Sequence, residues 1–208
     1  MTLRDLPQAP SGSAERADWA RALTLTRFVP HNVVREDRAD GTIILGSGYD
    51  MPPVAPNTGA WLHEWAERAP DRIAVSERRS DGEGWRDVSY AELLAQVRAV
   101  ASSLLARGLS QQDTIAIMSG NGVDHLILSL AAQYIGVPVV PLAEQYSLIV
   151  EAHPRLTFVL DKVRPKMAFV DDAARYSAAL ALPELDGVEI VAARGEGSRE
   201  VTPMAGLL

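Results

Sequence analysis

The sequence predicts an α/β protein: a doubly wound, mostly parallel sheet with flanking helices, preceded by short β-hairpins. Three observations carry this. From Thr114 to Ala192, strand-like runs alternate with helical ones at intervals of roughly 20 to 30 residues, the pattern of right-handed parallel crossovers. Before them lies a helix with both ends marked, from Ser89 to Gly108. Earlier still, short strand-like runs are joined by turn residues. At 208 residues, 47% apolar and 23% charged, the protein is long enough for one substantial core and ordinary in composition for a globular domain.

In sequence order, residues 1–26 form a leader expected to be loosely ordered. Val33 to Glu36 and Thr42 to Leu45 flank Asp40-Gly41, a hairpin signal. A proline-rich connector, Asp50 to Pro56, leads to a helix from Thr58 whose apolar residues Trp61, Leu62, Trp65, Ala66 and Ala69 recur at helical spacing before Pro70. Both tryptophans are predicted core anchors. Ile73 to Glu77 and Trp85 to Ser89 form a second hairpin, joined through Ser80 to Gly84. Ser89 and Glu92 make a capping box for a helix from Tyr90. Its predicted buried stripe is Leu93, Leu94, Val97, Val100, Ala101, Leu104 and Leu105, and Arg107-Gly108 ends it. The regular series follows: strand Thr114–Met118, helix Val123–Ile135, strand Val137–Pro141, helix Leu156–Val163, strand Met167–Val170, helix Ala173–Leu182, strand Val188–Ala192. Arg194 to Leu208 shows no packing pattern and is expected to be a connector.

Composition excludes several classes. With 27 acidic against 20 basic side chains the net charge is −7, which argues against a nucleic-acid partner. The absence of cysteine removes disulfides, thiolate metal sites and a cysteine nucleophile, and agrees with a cytoplasmic location. Met1 to Trp19 has no apolar core of a secretory signal. The most apolar window, Leu126 to Ala143, is interrupted by Gln133 and Tyr134 and broken by Gly136, Pro138 and Pro141, so no membrane association is expected. No fixed-period repeat accompanies the alternation.

In an open parallel sheet, ligands bind beyond the carboxyl ends of the strands. Three clusters fall there. Ser119-Gly120-Asn121-Gly122 opens a helix and is either a tight turn capped by Ser119 or Asn121, the favoured reading, or an anion site. Gly120-x-Gly122 lacks the third glycine of a dinucleotide fingerprint, His125 standing there. Glu144, followed by Gln145 and Tyr146, stands where a ribose-binding acid would sit. Asp171 and Asp172 suit a cation or a helix cap, and the following helix favours the cap. His125, Ser129 and Gln133 form a polar stripe expected at a solvent edge, with no serine elbow or orienting carboxylate nearby. His31, His63 and His153 make no metal-ligand spacing. No catalytic, cofactor-binding or metal-ligating residue is assigned.

Several blocks occur in a telling order: Pro70-Asp71-Arg72-Ile73-Ala74-Val75, Val88-Ser89-Tyr90-Ala91-Glu92-Leu93, Leu104-Leu105-Ala106-Arg107-Gly108-Leu109, Asp113 to Asn121, and Ala131 to Leu142. Together they resemble the opening of the acyl-CoA synthetases in the adenylate-forming (AMP-binding) ligase superfamily. Within it, Ser119 to His125 and Tyr146-Ser147-Leu148 most resemble feruloyl-CoA synthases. The resemblance covers about residues 27–192 and implies a parent reaction in two halves. ATP, with magnesium, adenylates a small-molecule carboxylic acid; coenzyme A then displaces AMP to give a thioester. The sequence departs from the family in one respect: the Ser/Thr/Gly-rich phosphate loop ending in Gly-x-Pro-Lys does not occur. Residues 27–192 are therefore expected to be the amino-terminal part of the large domain and 193–208 a truncated connector. The protein is expected to be inactive and cofactor-free alone, and able to associate through an exposed apolar face. Two other readings stay open: a non-catalytic binding module, and a nucleotide-binding oxidoreductase built on Gly120-x-Gly122 and Glu144.

Overall fold

A computed structural model describes residues 30–79 and 82–208. The expected leader, 1–26, and two tip residues of the second hairpin lie outside the described residues. The protein divides into two compact units, one ending at Val54 and one beginning at Ala55.

In the first unit, Gly41 at φ +83° allows a tight reversal, and the Asp40 carboxylate accepts the Thr42 N–H at 2.9 Å. The predicted hairpin forms: β1 (Val33–Asp37) pairs antiparallel with β2 (Ile43–Ser47). All ten of its residues are exposed.

The second unit opens with α1 (Thr58–Arg68), capped by Asn57, whose side chain accepts the Ala60 N–H. Its tryptophans are not core anchors. Trp61 is 58% exposed, and Trp65 lies at the surface, stacked on Tyr90 with the Arg68 and Arg72 guanidinium groups over its ring. Leu62 and Gly59 take the buried face; a Cβ at Gly59 would strike the Tyr134 ring at 2.6 Å. β3 (Ile73–Arg78) and β4 (Trp85–Ser89) form the second hairpin. The capping box starts α2 (Tyr90–Ala106) as predicted, and Gly108 at φ +71° follows its end. Leu105 leaves the predicted stripe: it lies about 100° round the helix from Leu104 and is exposed, whereas Leu104 is fully buried.

The remaining elements are β5 (Ile115–Ile117), α3 (Val123–Tyr134), β6 (Val139–Pro141), α4 (Glu144–Leu148), α5 (His153–Val163), β7 (Met167–Asp172), α6 (Ser177–Leu180), β8 (Glu189–Arg194) and β9 (Thr202–Pro203). The five strands β5 to β9 form one parallel sheet in the order β6-β5-β7-β8-β9. One face, with Ile115, Ile117, Met167, Phe169 and Val191, packs against α2 and α3. The other, with Ala116, Met118, Ala168 and Val170, packs against Leu156 and Leu160 of α5 and Tyr176 and Leu180 around α6. The sheet is doubly wound, as predicted, and its strands read as continuous apolar runs because both faces are covered.

Three expectations are corrected. The predicted helix Leu156–Val163 starts at His153, with Pro154 in its first turn. The predicted helix Ala173–Leu182 contracts to Ser177–Leu180, since turns hold 173–176 and Pro183 begins a separate 3-10 turn. The last residues do have a packing pattern: β9 extends the sheet beside β8, and the 3-10 turn Met204–Leu207 buries Met204 and Leu207 in the core. Alternation along two strand residues and one turn is too short a signal to register as periodicity. Among the described residues, no helix is long and apolar enough to cross a membrane.

Candidate functional site

β5 is followed by neighbours on opposite sides, β6 to one and β7 to the other. The connections therefore leave its carboxyl end in opposite directions and open a crevice there, the place where doubly wound sheets take ligands. A cleft of about 640 Å3 occupies this position, lined by Glu77, Arg86, Ser119, Asn121, His125 and Arg194 among others. A second, of about 410 Å3, lies between β3 and α3 and shares Glu77, Asn121 and His125 with the first.

The turn between β5 and α3 is bonded by a carboxylate from outside it. Gly122 is the N-cap of α3 and has no side chain to cap with; neither Ser119 nor Asn121 takes the role predicted for them. Instead Glu77 Oε2, from β3, accepts the Val123 N–H at 2.7 Å, so the amino end of α3 already carries an anion, one belonging to the protein. A Cβ on Gly122 would come within 3.1 Å of the same oxygen, and one on Gly120 within 3.4 Å of Glu144. Arg86 bridges Glu77 (3.1 Å) and Asp124 (2.9 Å). Burial works against its charge, and the two carboxylates outweigh burial, so Arg86 holds its proton more firmly than an ordinary arginine.

His125 Nδ1 lies 3.0 Å from the Gly120 carbonyl oxygen, which can only accept, so this nitrogen carries the hydrogen. It is thus not a base toward Ser119, whose hydroxyl is 3.4 Å away and donates to the same carbonyl. No nucleophile and base pair forms. The stripe of His125, Ser129 and Gln133 is a solvent edge only at Gln133, which is exposed. Ser129 and His125 are half-buried, and Gln133 accepts from Thr58 of α1, next to a contact between His63 Nε2 and the Tyr134 hydroxyl at 2.7 Å. His153 bonds the Ser147 carbonyl.

Glu144 is engaged rather than open to a ribose. It accepts from the buried Tyr176 hydroxyl at 2.8 Å and pairs with Arg175 at 3.0 Å. Burial first, then the bond to Glu144, raises the Tyr176 pKa well above that of an ordinary phenol. Asp172 caps the turn after β7, accepting the Ala174 and Arg175 N–H groups, and both Asp171 and Asp172 pair with Arg194. The predicted cap is thus made by Asp172 alone, to a turn rather than a helix. Among the described residues there is no metal-binding cluster.

The profile of the AMP-binding enzyme family matches residues 62–203, which takes in the cleft and nearly the whole second unit. The chain belongs to the AMP-binding enzyme family. It is similar to a long-chain-fatty-acid–CoA ligase of Mycobacterium bovis, 33% identical over 91 residues, covering 44% of this chain and 15% of that protein. A 4-chlorobenzoate–CoA ligase of Arthrobacter is 33% identical over 76 residues, 36% of this chain and 14% of that protein. Among solved structures, a Rhodopseudomonas palustris protein described as a long-chain-fatty-acid CoA ligase superposes with a TM-score of 0.60 at 27% identity, over 73% of this chain and 36% of that one. The AMP-binding chain thus spans a small part of the length of its relatives. The resemblance drawn from the ordered sequence blocks is to the right family, and the sheet is that of the amino-terminal part of such ligases.

Glu77, Arg86 and Arg194 are among the cleft residues that the sequence leaves unmarked. Each acts across 20 or more residues or between strands of different sheets, as in Glu77 to Val123 and Arg194 to Asp171. No local spacing announces such pairs.

Proposed function

We propose that this chain is the amino-terminal scaffold of an ATP-dependent acid–CoA ligase and forms one wall of its ligand crevice. The reaction of such a ligase has two steps. The acid's carboxylate oxygen attacks the α-phosphorus of ATP, releasing pyrophosphate; the thiol of coenzyme A then attacks the acyl carbon, releasing AMP. The observation that carries the reading is the family match over residues 62–203, coincident with a cleft at the switch point of the sheet. ATP, magnesium and coenzyme A belong to the whole ligase. The acid proposed is of the feruloyl type, a reading supported by the Ser119 to His125 segment and consistent with an aromatic-acid ligase among the relatives. Association through an apolar face belongs to the same reading, and the exposed Ile149, Val150 and Phe158 suit it. A cytoplasmic location is proposed with it.

The 208 residues alone are proposed to be inactive, because the Gly-x-Pro-Lys phosphate loop is not in the sequence and the guanidinium groups of Arg86 and Arg194 at the cleft are taken by the protein's own carboxylates. The test is pyrophosphate release with ATP, magnesium, ferulate and coenzyme A. None is expected from residues 1–208, and turnover would overturn the claim of inactivity. The acid class is tested on the protein extended by whatever its gene encodes after Leu208: faster release with ferulate than with a long-chain fatty acid is expected, and the reverse order removes the feruloyl reading.

A further inference from the structure

The protein has three asparagines, and their surroundings differ. Asn57 spends its side-chain oxygen on the Ala60 N–H and precedes Thr58. Asn32 packs its carboxamide against Gly48, with no room between them for a Cβ, and precedes Val33. Asn121 is exposed, its carboxamide has no hydrogen-bond partner among the described residues, and it precedes Gly122. The Gly122 backbone nitrogen likewise donates to no group among the described residues, and glycine offers no Cβ to shield it. A carboxamide and an unengaged backbone nitrogen one residue on are the reactants for ring closure, and asparagine is among the thermolabile residues for this reason.

We propose that Asn121-Gly122 is a spontaneous modification site on the cleft wall. The Gly122 nitrogen loses its proton to solvent base and forms a bond to the carboxamide carbon of Asn121. The bond from that carbon to the amide nitrogen breaks, and the nitrogen leaves as ammonia with a proton from water. Water then adds to one of the two carbonyls of the resulting succinimide and opens it, giving aspartate or isoaspartate at position 121. No oxidation or reduction occurs.

The position gives the reaction a consequence. The new carboxylate lies on the turn that leads into α3, where Arg86 already serves Glu77 and Asp124. It therefore adds an acid to the cleft lining that Glu77, Asp124 and Arg86 share. Isoaspartate also inserts a methylene into the backbone between Gly120 and Gly122, where Glu144 and Glu77 leave little room for added atoms. The product is a cleft of changed charge and shape. The inference rests on the local chemistry alone and stands or falls independently of the ligase reading.

The test ages the folded protein in mildly alkaline buffer and follows each asparagine by peptide mass spectrometry, with isoaspartate scored by methyl transfer from an isoaspartyl methyltransferase. Loss of the Asn121 amide, with methyl acceptance at that peptide, while Asn32 and Asn57 keep theirs, is the expected result. Retention of the Asn121 amide in the folded protein, when the denatured protein loses it under the same conditions, would overturn the proposal. Asn121→Gln, whose extra methylene makes for a less favourable ring, is expected to abolish methyl acceptance at that peptide; undiminished acceptance there would overturn it equally.

Discussion

Glu77, on the first strand of the second hairpin, caps the helix that begins at Val123: its carboxylate accepts the Val123 N–H at 2.7 Å across 46 residues of sequence. The same side chain reaches Arg86, so one carboxylate ties the hairpin, the helix and the cleft wall together. Removing it leaves a helix-terminal N–H without its acceptor and leaves Arg86 with Asp124 alone. Glu77→Ala is expected to destabilise the protein by about 1–2 kcal/mol. Glu77→Gln, which keeps an acceptor, is expected to lose less. Urea unfolding with an unchanged m-value checks both.

The capping box of α2 carries a pH dependence. Glu92 accepts the Ser89 backbone N–H, and this bond holds its carboxyl below the usual glutamate range. A carboxyl with a depressed folded-state pKa contributes stability that is fully present above its unfolded value and lost as the pH falls through the folded one. Acid unfolding followed by circular dichroism should therefore show a shallower acid limb for Glu92→Gln, which keeps the acceptor and removes the titration. An identical limb would dissociate the capping box from acid sensitivity.

Arg199 is a clasp on the far side of the sheet. Its guanidinium donates to the carbonyls of Leu180, Leu182 and Leu185 and pairs with Asp186, closing the segment around α6 onto the loop before β9. Arg199→Ala strands those carbonyls near the end of α6 and is expected to cost about 2–3 kcal/mol. Arg199→Lys, with a point charge in place of the planar fork, should recover only part of this. The measurement is thermal melting of the three proteins side by side.

Leu207 is 2% exposed one residue from the end of the sequence, packed with Met204 in the cluster that includes α2 and β8 residues. Leu207→Ala is expected to destabilise by about 2–4 kcal/mol, as for other large-to-small changes in a core. Leu208→Ala, at a position 53% exposed, should be near neutral. Equal effects at the two positions would mean that the final turn does not dock.

Much of the fold was legible because its signals are local. Ser89 and Glu92 three residues apart dictate a helix start through two backbone donors, and Gly108 permits the left-handed residue after its end. Alternating strand and helix segments leave few topologies once crossovers are right-handed. The errors fall where burial depends on a neighbour not adjacent in sequence. Trp61 and Leu105 have the hydrophobicity of core residues, yet their own helices turn them outward. Thr202 to Leu207 is too short to show a period and is ordered by the edge of β8 and the pocket for Leu207.

Ordered blocks, periodicity and caps act within a few residues of one another, so they were enough for the family, the doubly wound sheet and three candidate clusters after its strands; the strand order then opened a crevice at the end of β5. Tertiary structure decided what stands in that crevice. Glu77 supplies the cap that Ser119 and Asn121 were expected to provide, Tyr176 and Arg175 take the carboxylate of Glu144, and Arg194 takes both aspartates after β7. Charges pair by distance in space, and only the folded protein brings residues from β3, β7 and β8 to the cleft lined by the turn that begins at Ser119.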